Sequence, residues 1–180
     1  GSTLKPFLYE LALEQRLIHP NTVLADVPTH YAIPGAKLYS PQDYNETFLG
    51  PVRVRVALAN SLNVPAVRVL EKVSVSSFLE RLHKLGFSHL NHPPEYYGLG
   101  LTLGSGEVSL WELARAYLTI AKQGETIPLI TTLDNPIPNS QFPIPHSQSE
   151  WSLITDILSD SHARAKAFGV ESVLALPFPA

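Results

Sequence analysis

The pattern of apolar and polar positions divides the chain into helical stretches separated by two proline-rich segments. Over residues 4–12, apolar side chains recur at steps of three and four, which is typical of one face of a helix. This spacing and the capping residues together predict six helices: from residue 2 or 3 to about 16, over 52–60, from 63 or 64 to about 72, from 77 or 74 to about 85, over 109–124 and over about 149–159. The pattern therefore predicts a mostly α fold, with one short strand near Ile127–Leu133 in the second proline-rich segment.

Prolines and glycines set limits on the first helix and on two loops. Pro6 has no N–H and is tolerated only in the first turn of a helix, so the first helix must begin near Ser2 or Thr3. Residues 19–51 contain five prolines and are predicted to be a long irregular segment. Residues 97–106 are rich in glycine and are predicted to be a loop.

Capping residues predict where three later helices begin. Asn63 or Val64 is expected at the N-cap of one helix, because the proline two residues after Asn63 suits a first turn. The S-x-x-E spacing of a capping box begins at Ser77, although Ser74 offers an earlier start. A second capping box begins at Ser109 and precedes the most regular apolar stripe of the chain.

Composition narrows the possible classes of protein. The chain has 180 residues, of which 44% are hydrophobic and 16% charged, as is typical of one globular domain with a core. A net charge of −3 argues against a nucleic-acid partner, which would require a clustered basic face. The absence of cysteine excludes disulfides and thiolate metal sites. The chain contains no run of 18 apolar residues, which is about the length that a membrane-spanning helix needs.

Ser2 and Lys5 are the first candidates for chemistry. On a helix, a serine and a lysine three positions apart lie on one face. A neutral lysine amine can take the serine proton, and burial lowers a lysine pKa and so supplies that amine. The helix N-terminus also favours negative charge developing beside Ser2. The same spacing is equally explained by an N-cap serine with a solvated lysine, or by Gly1-Ser2 as a tag remnant.

Ser61 and Asn63 form the second candidate pair, in the pattern S-x-N. A hydroxyl at the first position can relay a proton between a lysine and a leaving amine, and an amide at the second can hold a substrate carbonyl or orient the lysine. The alternative is structural, because Asn63 is a good helix cap and Ser61 can simply end the preceding helix. The patterns S-x-x-K and S-x-N each occur once in the chain.

No residue is predicted to bind a metal or a cofactor. His89 and His92 lie three apart without the H-E-x-x-H context, so a surface pair is expected. The glycines between Gly98 and Gly106 lack the G-x-G-x-x-G spacing of a dinucleotide loop. None of the six lysines precedes Thr-Gly or Ser-Gly, so the K-T-G motif that accompanies S-x-x-K and S-x-N in serine acyl-transferases is absent.

Eight blocks of sequence, in order along the chain, resemble one known family. The blocks are GSTLKPF (1–7), TVLADVP (22–28), YNETFLG (44–50), VRVRVALANSLNVPAV (52–67), GLGLTLGSGEVS (98–109), ARAY (114–117), SDSHARA (159–165) and LPFP (176–179). Together they resemble the transpeptidase domain of class A, bifunctional penicillin-binding proteins, and the last two are similar to the 1C type. The resemblance covers nearly the whole chain.

This resemblance implies a fold and an activity. Residues 1–180 would be a partial transpeptidase domain that begins at the nucleophile and ends before K-T-G. The fold would be mostly α, the helical lobe of the α/β penicillin-binding and β-lactamase-like fold, with most of the central sheet missing. The implied activity is peptidoglycan D,D-transpeptidation, in which a D-Ala–D-Ala stem peptide or a β-lactam acylates Ser2. Lys5 would be the base, Ser61 a proton shuttle, and Asn63 would bind substrate or orient Lys5. We expect residues 1–180 alone to be inactive.

The resemblance also implies partners and a location. The partners would be peptidoglycan stem peptides and β-lactam antibiotics, with no nucleic acid, metal or cofactor. The full protein would be periplasmic or extracytoplasmic, held in the inner membrane by an anchor outside residues 1–180.

Two other functions stay open on the sequence alone. One is a penicillin-recognising relative that acts as a β-lactam sensor or hydrolase, and the other is a helical interaction module without chemistry.

Overall fold

The computed structural model describes residues 1–31, 39–42, 47–126, 148–169 and 171. These residues form mostly helices and one two-stranded sheet, which confirms the predicted fold class. Two 3₁₀ segments are included among the helices. In chain order, the elements are a 3₁₀ turn Ser2–Leu4, α1 Lys5–Glu14, β1 Val23–Asp26, β2 Gly50–Arg53, α2 Val54–Ala59, α3 Asn63–Val73, α4 Val75–Lys84, α5 Pro94–Tyr97, a 3₁₀ helix Gly98–Leu103, α6 Leu110–Ala121, α7 Gln148–Ser159 and α8 Ala165–Phe168.

Helix α1 lies at the centre of the fold. Every residue from Lys5 to Leu13 is buried, and the helix packs against α2, α3, α4 and α7. The Phe7 ring meets the rings of Phe87, Tyr117 and Trp151 edge-on, with centroid distances of 5.9, 5.4 and 6.4 Å. Edge-to-face aromatic contacts stabilise beyond the area they bury. The packing therefore fixes the position of the turn that precedes α1.

The predicted start of the first helix is confirmed. The chain enters a 3₁₀ turn at Ser2, and Pro6 lies within the first turn of α1, where its missing N–H leaves no carbonyl unpaired. The backbone N–H of Lys5 donates to the carbonyl of Ser2, so the two segments are continuous.

The prediction that residues 19–51 are irregular throughout is wrong. Strand β1 pairs antiparallel with β2, with Val23 opposite Arg53 and Asp26 opposite Gly50. In β1, exposed and buried residues alternate, but the exposed Val23 is apolar and the buried Asp26 is charged, so the sequence shows no alternation of apolar and polar residues. Because β2 runs to Arg53, the helix predicted from residue 52 begins at Val54 instead.

The predicted caps have mixed outcomes. Leu62, not Asn63 or Val64, is the N-cap of α3, and no side chain caps that helix. The earlier start of α4 is correct, because the Ser74 hydroxyl accepts a hydrogen bond from the N–H of Ser77 at 3.2 Å. The capping box that begins at Ser109 is confirmed.

Three further predictions concern the second half of the chain. The prediction that residues 97–106 form a loop is wrong in part, because they contain the end of α5 and the 3₁₀ helix Gly98–Leu103. Short 3₁₀ segments of this kind are frequent connectors. The last predicted helix is confirmed as α7, while α8 was not predicted. The strand predicted near Ile127–Leu133 lies outside the described residues.

Candidate active site

The amine of Lys5 is buried and contacts the S-x-N segment. Lys5 is 1% exposed. Its Nζ atom donates to the carbonyl oxygen of Ser61 at 2.5 Å and to Oδ1 of Asn63 at 2.6 Å, and it lies 3.1 Å from the Ser61 Oγ. The structure therefore brings together three of the four candidate residues, although more than fifty positions of sequence separate Lys5 from the other two.

Ser2 is exposed and begins the 3₁₀ turn that directly precedes α1. It lines a cavity of about 690 Å³ together with Ser61 and Asn63. We call this space the Ser2 cavity. Its other lining residues are Thr47, Leu49, Asn60, Leu62, Lys166, Ala167 and Phe168.

Ser61 has a backbone conformation that is rare for a residue with a side chain. Its φ is 56°, in the left-handed region. The N–H of Ser61 donates to the Leu58 carbonyl at 2.9 Å and that of Leu62 to the Ala57 carbonyl at 3.0 Å, which is the Schellman pattern at the end of α2. Glycine usually occupies this position. Serine here turns both its carbonyl and its hydroxyl toward Lys5.

The amide of Asn63 is oriented by a second hydrogen bond. Its Nδ2 donates to the carbonyl of Gln42 at 2.6 Å, so Oδ1 is the atom directed at Lys5. An amide oxygen only accepts hydrogen bonds. In this arrangement, Oδ1 of Asn63 accepts a hydrogen bond from the Lys5 amine.

The turn that carries Ser2 is held from the side of α6. The Tyr117 hydroxyl donates to the carbonyl of Thr3 at 3.0 Å, and burial raises the pKa of Tyr117, which keeps it protonated. Gly104 has a φ of +102° and packs directly against Gly1. The approach is so close that a Cβ at Gly104 would lie 1.9 Å from the Gly1 nitrogen. The backbone on both sides of Ser2 is thus positioned by residues about a hundred positions later.

Helix α8 forms one wall of the Ser2 cavity and is fixed by Asn60. Oδ1 of Asn60 accepts from the N–H of Ala167 at 2.9 Å. Nδ2 of Asn60 donates to the carbonyls of Ala163 at 2.6 Å and Val56 at 2.9 Å. Asn60 is 6% exposed, so these bonds form away from bulk water. The residue directly before Ser61 therefore ties this wall to the site.

The family comparison now decides what kind of protein carries this site. A family model described as "Penicillin binding protein transpeptidase domain" matches residues 1–171. The chain belongs to the penicillin-binding protein transpeptidase family. The predicted resemblance is confirmed, since the match covers almost the whole chain.

Among known proteins, this transpeptidase-family chain is similar in sequence to class A penicillin-binding proteins. It is 35% identical over 160 residues to penicillin-binding protein 1C of Escherichia coli (strain K12), covering 89% of this chain and 20% of that protein. It is 34% identical over 125 residues to penicillin-binding protein 1A of Haemophilus influenzae, covering 69% of this chain and 14% of that protein. The chain therefore spans a fifth or less of the length of these two relatives.

Solved structures agree with this family. The crystal structure of penicillin-binding protein 1A from Haemophilus influenzae matches with a TM-score of 0.59 and 33% identity, over 67% of this chain and 17% of that one. The apo transpeptidase domain of Burkholderia pseudomallei penicillin-binding protein 3 matches with a TM-score of 0.67 over 89% of this chain and 52% of that one. Its 23% identity supports the fold alone.

Sequence reasoning missed several residues that line or support this transpeptidase-family site. Asn60 adjoins the S-x-N pattern, but nothing local shows that its side chain reaches α8. Tyr117 lies in the ARAY block, but nothing in that block predicts its contact with the Ser2 turn, and Lys166 carries no motif of its own. Within the described residues, no three His, Asp or Glu side chains are grouped as metal ligands would be. No helix in that part of the chain has the length and apolarity required to cross a bilayer.

Proposed function

We propose that the full-length protein is a serine-type D-Ala–D-Ala transpeptidase that cross-links peptidoglycan and is acylated by β-lactams at Ser2. Residues 1–180 would form part of its transpeptidase domain. The family supports the reaction class, and one observation carries the residue assignment: the Lys5 amine is held by Ser61 and Asn63 beside the cavity that Ser2 lines. Since peptidoglycan lies outside the cytoplasm, we propose an extracytoplasmic location, with an anchor outside residues 1–180.

In the first half of this reaction, the Ser2 Oγ attacks the carbonyl carbon of the penultimate D-Ala, and its proton passes to the neutral amine of Lys5. The carbonyl of Ser61 and Oδ1 of Asn63 only accept hydrogen bonds, so they bind N–H groups of that amine. The Ser61 hydroxyl can either donate or accept, which suits a proton relay. The backbone N–H of Ser2 would be one of two donors to the developing oxyanion.

In the second half, the C–N bond of the terminal D-Ala breaks, and the leaving amine takes a proton through the Ser61 hydroxyl from Lys5. Ser2 is then an ester of the donor peptide. The amine of a second stem peptide attacks this ester and gives a proton to Lys5 through the Ser61 hydroxyl. The ester C–O bond breaks as the new peptide bond forms, and Lys5 returns the proton to the Ser2 Oγ. A β-lactam acylates Ser2 in the same way: the Ser2 Oγ attacks the lactam carbonyl, the ring C–N bond breaks, and the ring nitrogen takes the proton from Lys5 through the Ser61 hydroxyl.

Acylation of the full-length protein by a fluorescent penicillin tests the assignment. We expect Ser2→Ala to abolish labelling and Lys5→Ala to slow it by about 10²- to 10⁴-fold, the usual contribution of a general base. Ser76→Ala, an exposed serine on α4, is the matched control and should label normally. Labelling of Ser2→Ala at the wild-type rate would contradict the proposal.

A second assay separates a cross-linking enzyme from a β-lactam hydrolase. With a pentapeptide donor and an acceptor amine, we expect release of D-Ala with a cross-linked product, and a lasting adduct with penicillin. Rapid turnover of penicillin without a cross-linked product would instead favour the hydrolase.

A further inference from the structure

Asn60 is a buried residue whose side-chain amide joins two distant segments of the chain. Its Oδ1 accepts from the N–H of Ala167 and its Nδ2 donates to the carbonyl of Ala163, which lie 107 and 103 positions later. A third contact, from Nδ2 to the carbonyl of Val56 at 2.9 Å, stays within the turn that ends α2. A side chain that served only to end this helix would need the third contact alone. The other two indicate a further role.

The partners of Asn60 belong to a part of the chain that is itself held in place. Oδ1 of Asp160 accepts from the N–H of Ala163 at 2.9 Å. Nη1 of Arg164 donates to the carbonyl of Leu158 at 3.1 Å. These contacts tie the residues around Ala163 to the end of α7, and α7 packs against α1, the helix that carries Lys5. Asn60 therefore connects the end of α2 to the same framework that positions the Lys5 amine.

The residue that follows Asn60 is Ser61, which carries the strained backbone of the site. Its left-handed φ of 56° directs a carbonyl and a hydroxyl to within 2.5 and 3.1 Å of the Lys5 Nζ. Such a conformation persists only where the surrounding structure determines it. The N–H groups of Ser61 and Leu62 hold the turn from within α2, and the Asn60 amide holds it from another part of the chain.

We propose that Asn60 is a positioning residue for the acylation of Ser2 and acts through Ser61. The inference rests on the proposed function, in which Lys5 and the Ser61 hydroxyl move the protons. With the amide bonded, the peptide between residues 60 and 61 keeps the orientation that brings both Ser61 groups to the amine. Without it, the turn relaxes toward a less strained backbone and both groups move away. A displacement of about 1 Å can slow a reaction about 10²-fold.

The test measures acylation of the full-length protein by benzylpenicillin in stopped flow. This method separates the dissociation constant of the first, non-covalent complex from the acylation rate constant. Asn60→Leu keeps the size of the side chain and removes its hydrogen bonds. We expect the acylation rate constant to fall about 10- to 100-fold, with a much smaller change in the dissociation constant. Asn60→Ala, in which water can replace the amide, should show the same loss and serves if Asn60→Leu does not fold.

A double-mutant cycle with Ser61→Ala distinguishes positioning from a general loss of stability. Independent sites give additive effects, whereas a residue that acts through another gives a smaller effect once its target is altered. We therefore expect Asn60→Ala to slow acylation of Ser61→Ala by less than about threefold. Urea unfolding of each variant verifies that it is folded under the assay conditions.

Arg55→Gln is the matched control, because it breaks a different link between the same two segments. Arg55 lies on α2 and pairs with Asp156 and Asp160 at the end of α7, where all three side chains are partly or largely exposed. Exposed ion pairs contribute little, so the acylation rate constant of Arg55→Gln should stay within about twofold of wild type.

The outcomes distinguish this inference from the proposed function. An acylation rate constant of Asn60→Ala that equals wild type overturns the role of Asn60 and leaves acylation of Ser2 standing. The same holds for an equal fold loss in the wild-type and Ser61→Ala backgrounds, or for an equal loss in Arg55→Gln. Labelling of Ser2→Ala at the wild-type rate overturns the proposed function itself, and this inference with it.

Discussion

At the scale of single residues, the site depends on one backbone angle. Ser61 adopts a left-handed conformation that glycine adopts without steric cost, whereas an L-residue pays about 1–2 kcal/mol for it. The strain is retained at the residue whose hydroxyl and carbonyl both contact Lys5. Strained backbone of this kind is concentrated at functional sites, where the surrounding structure maintains it.

Two substitutions separate the backbone role of Ser61 from its hydroxyl. Ser61→Ala and Ser61→Gly both remove the hydroxyl, so we expect both to slow penicillin acylation to the same extent. Only glycine relieves the left-handed strain, so Ser61→Gly should be more stable than Ser61→Ala by about 1 kcal/mol. Urea unfolding and labelling rates of the full-length variants measure both effects. Equal unfolding free energies of the two variants would contradict the presence of backbone strain at Ser61.

The residue scale also shows what the sequence could predict of the site. Ser2 and Lys5 follow from local spacing and from Pro6, which fixes the helix start. The contact of Lys5 with Ser61 and Asn63 joins segments far apart in sequence, and only the family resemblance suggested it. Lys166 escaped prediction because an isolated lysine has no periodic or capping signal.

At the scale of elements, the Glu112 carboxylate both caps the N-terminus of α6 and binds the loop after α4. Oε2 of Glu112 accepts from the N–H of Ser109 at 2.9 Å. Its Oε1 accepts from the N–H of Ser88 at 2.6 Å, the Ser88 hydroxyl at 2.9 Å and the N–H of His89 at 3.0 Å. The S-x-x-E spacing predicts the first contact. The second set depends on the loop after α4 packing beside α6, which no local pattern shows.

Neutralising Glu112 tests this junction. Burial alone would raise the pKa of Glu112, but hydrogen bonds from Ser109, His89 and Ser88 outweigh it and lower the pKa to about 2. A lowered folded pKa adds stability that is complete above the unfolded value of about 4.5 and is lost as pH falls toward 2. We expect Glu112→Gln to cost about 1.5–3 kcal/mol of unfolding free energy at pH 7.

The pH dependence supplies the check on that prediction. The stability difference between wild type and Glu112→Gln should shrink as the pH falls from 4.5 toward 2, since wild-type Glu112 is then protonated. Glu125→Gln, an exposed site after α6, serves as the control and should stay within about 0.5 kcal/mol of wild type. A penalty for Glu112→Gln that does not vary with pH would contradict the account.

At the scale of the whole molecule, the central helix α1 is locked to α4 by a buried charge cluster. Arg81 on α4 donates to both carboxylate oxygens of Glu10, at 3.2 and 3.0 Å, and also pairs with Glu14. The side chain of Glu10 is 1% exposed and that of Arg81 is 7% exposed. The apolar pattern predicted α1 and α4, but it could not predict this cluster, because sequence alone does not show which faces meet.

Removing the arginine should destabilise the molecule in a pH-dependent way. Burial raises the pKa of Glu10 to about 7, against the lowering effect of Arg81, and nearby Glu150 raises it further. A raised carboxyl pKa means that stability is greatest below the unfolded value of about 4.5 and falls as pH rises through the folded value. Arg81→Met leaves Glu10 without its partner, so we expect a loss of about 3–5 kcal/mol at pH 8.

The same variant should lose much less stability at pH 5, where Glu10 is protonated in the folded state. Urea unfolding of the full-length protein at both pH values measures the difference. Lys84→Met, at an exposed position of the same helix, controls for the loss of a positive charge. An equal loss for Arg81→Met at pH 5 and pH 8 would show that the cluster does not act through the charge of Glu10.

The proposed function depends on acylation of Ser2, whose proton passes to the Lys5 amine. The most direct measurement is mass spectrometry of peptides from the full-length protein after reaction with benzylpenicillin. We expect a penicilloyl mass on the peptide that contains Ser2, and no such mass in Ser2→Ala. A penicilloyl adduct on any other serine, with Ser2 unmodified, would contradict it.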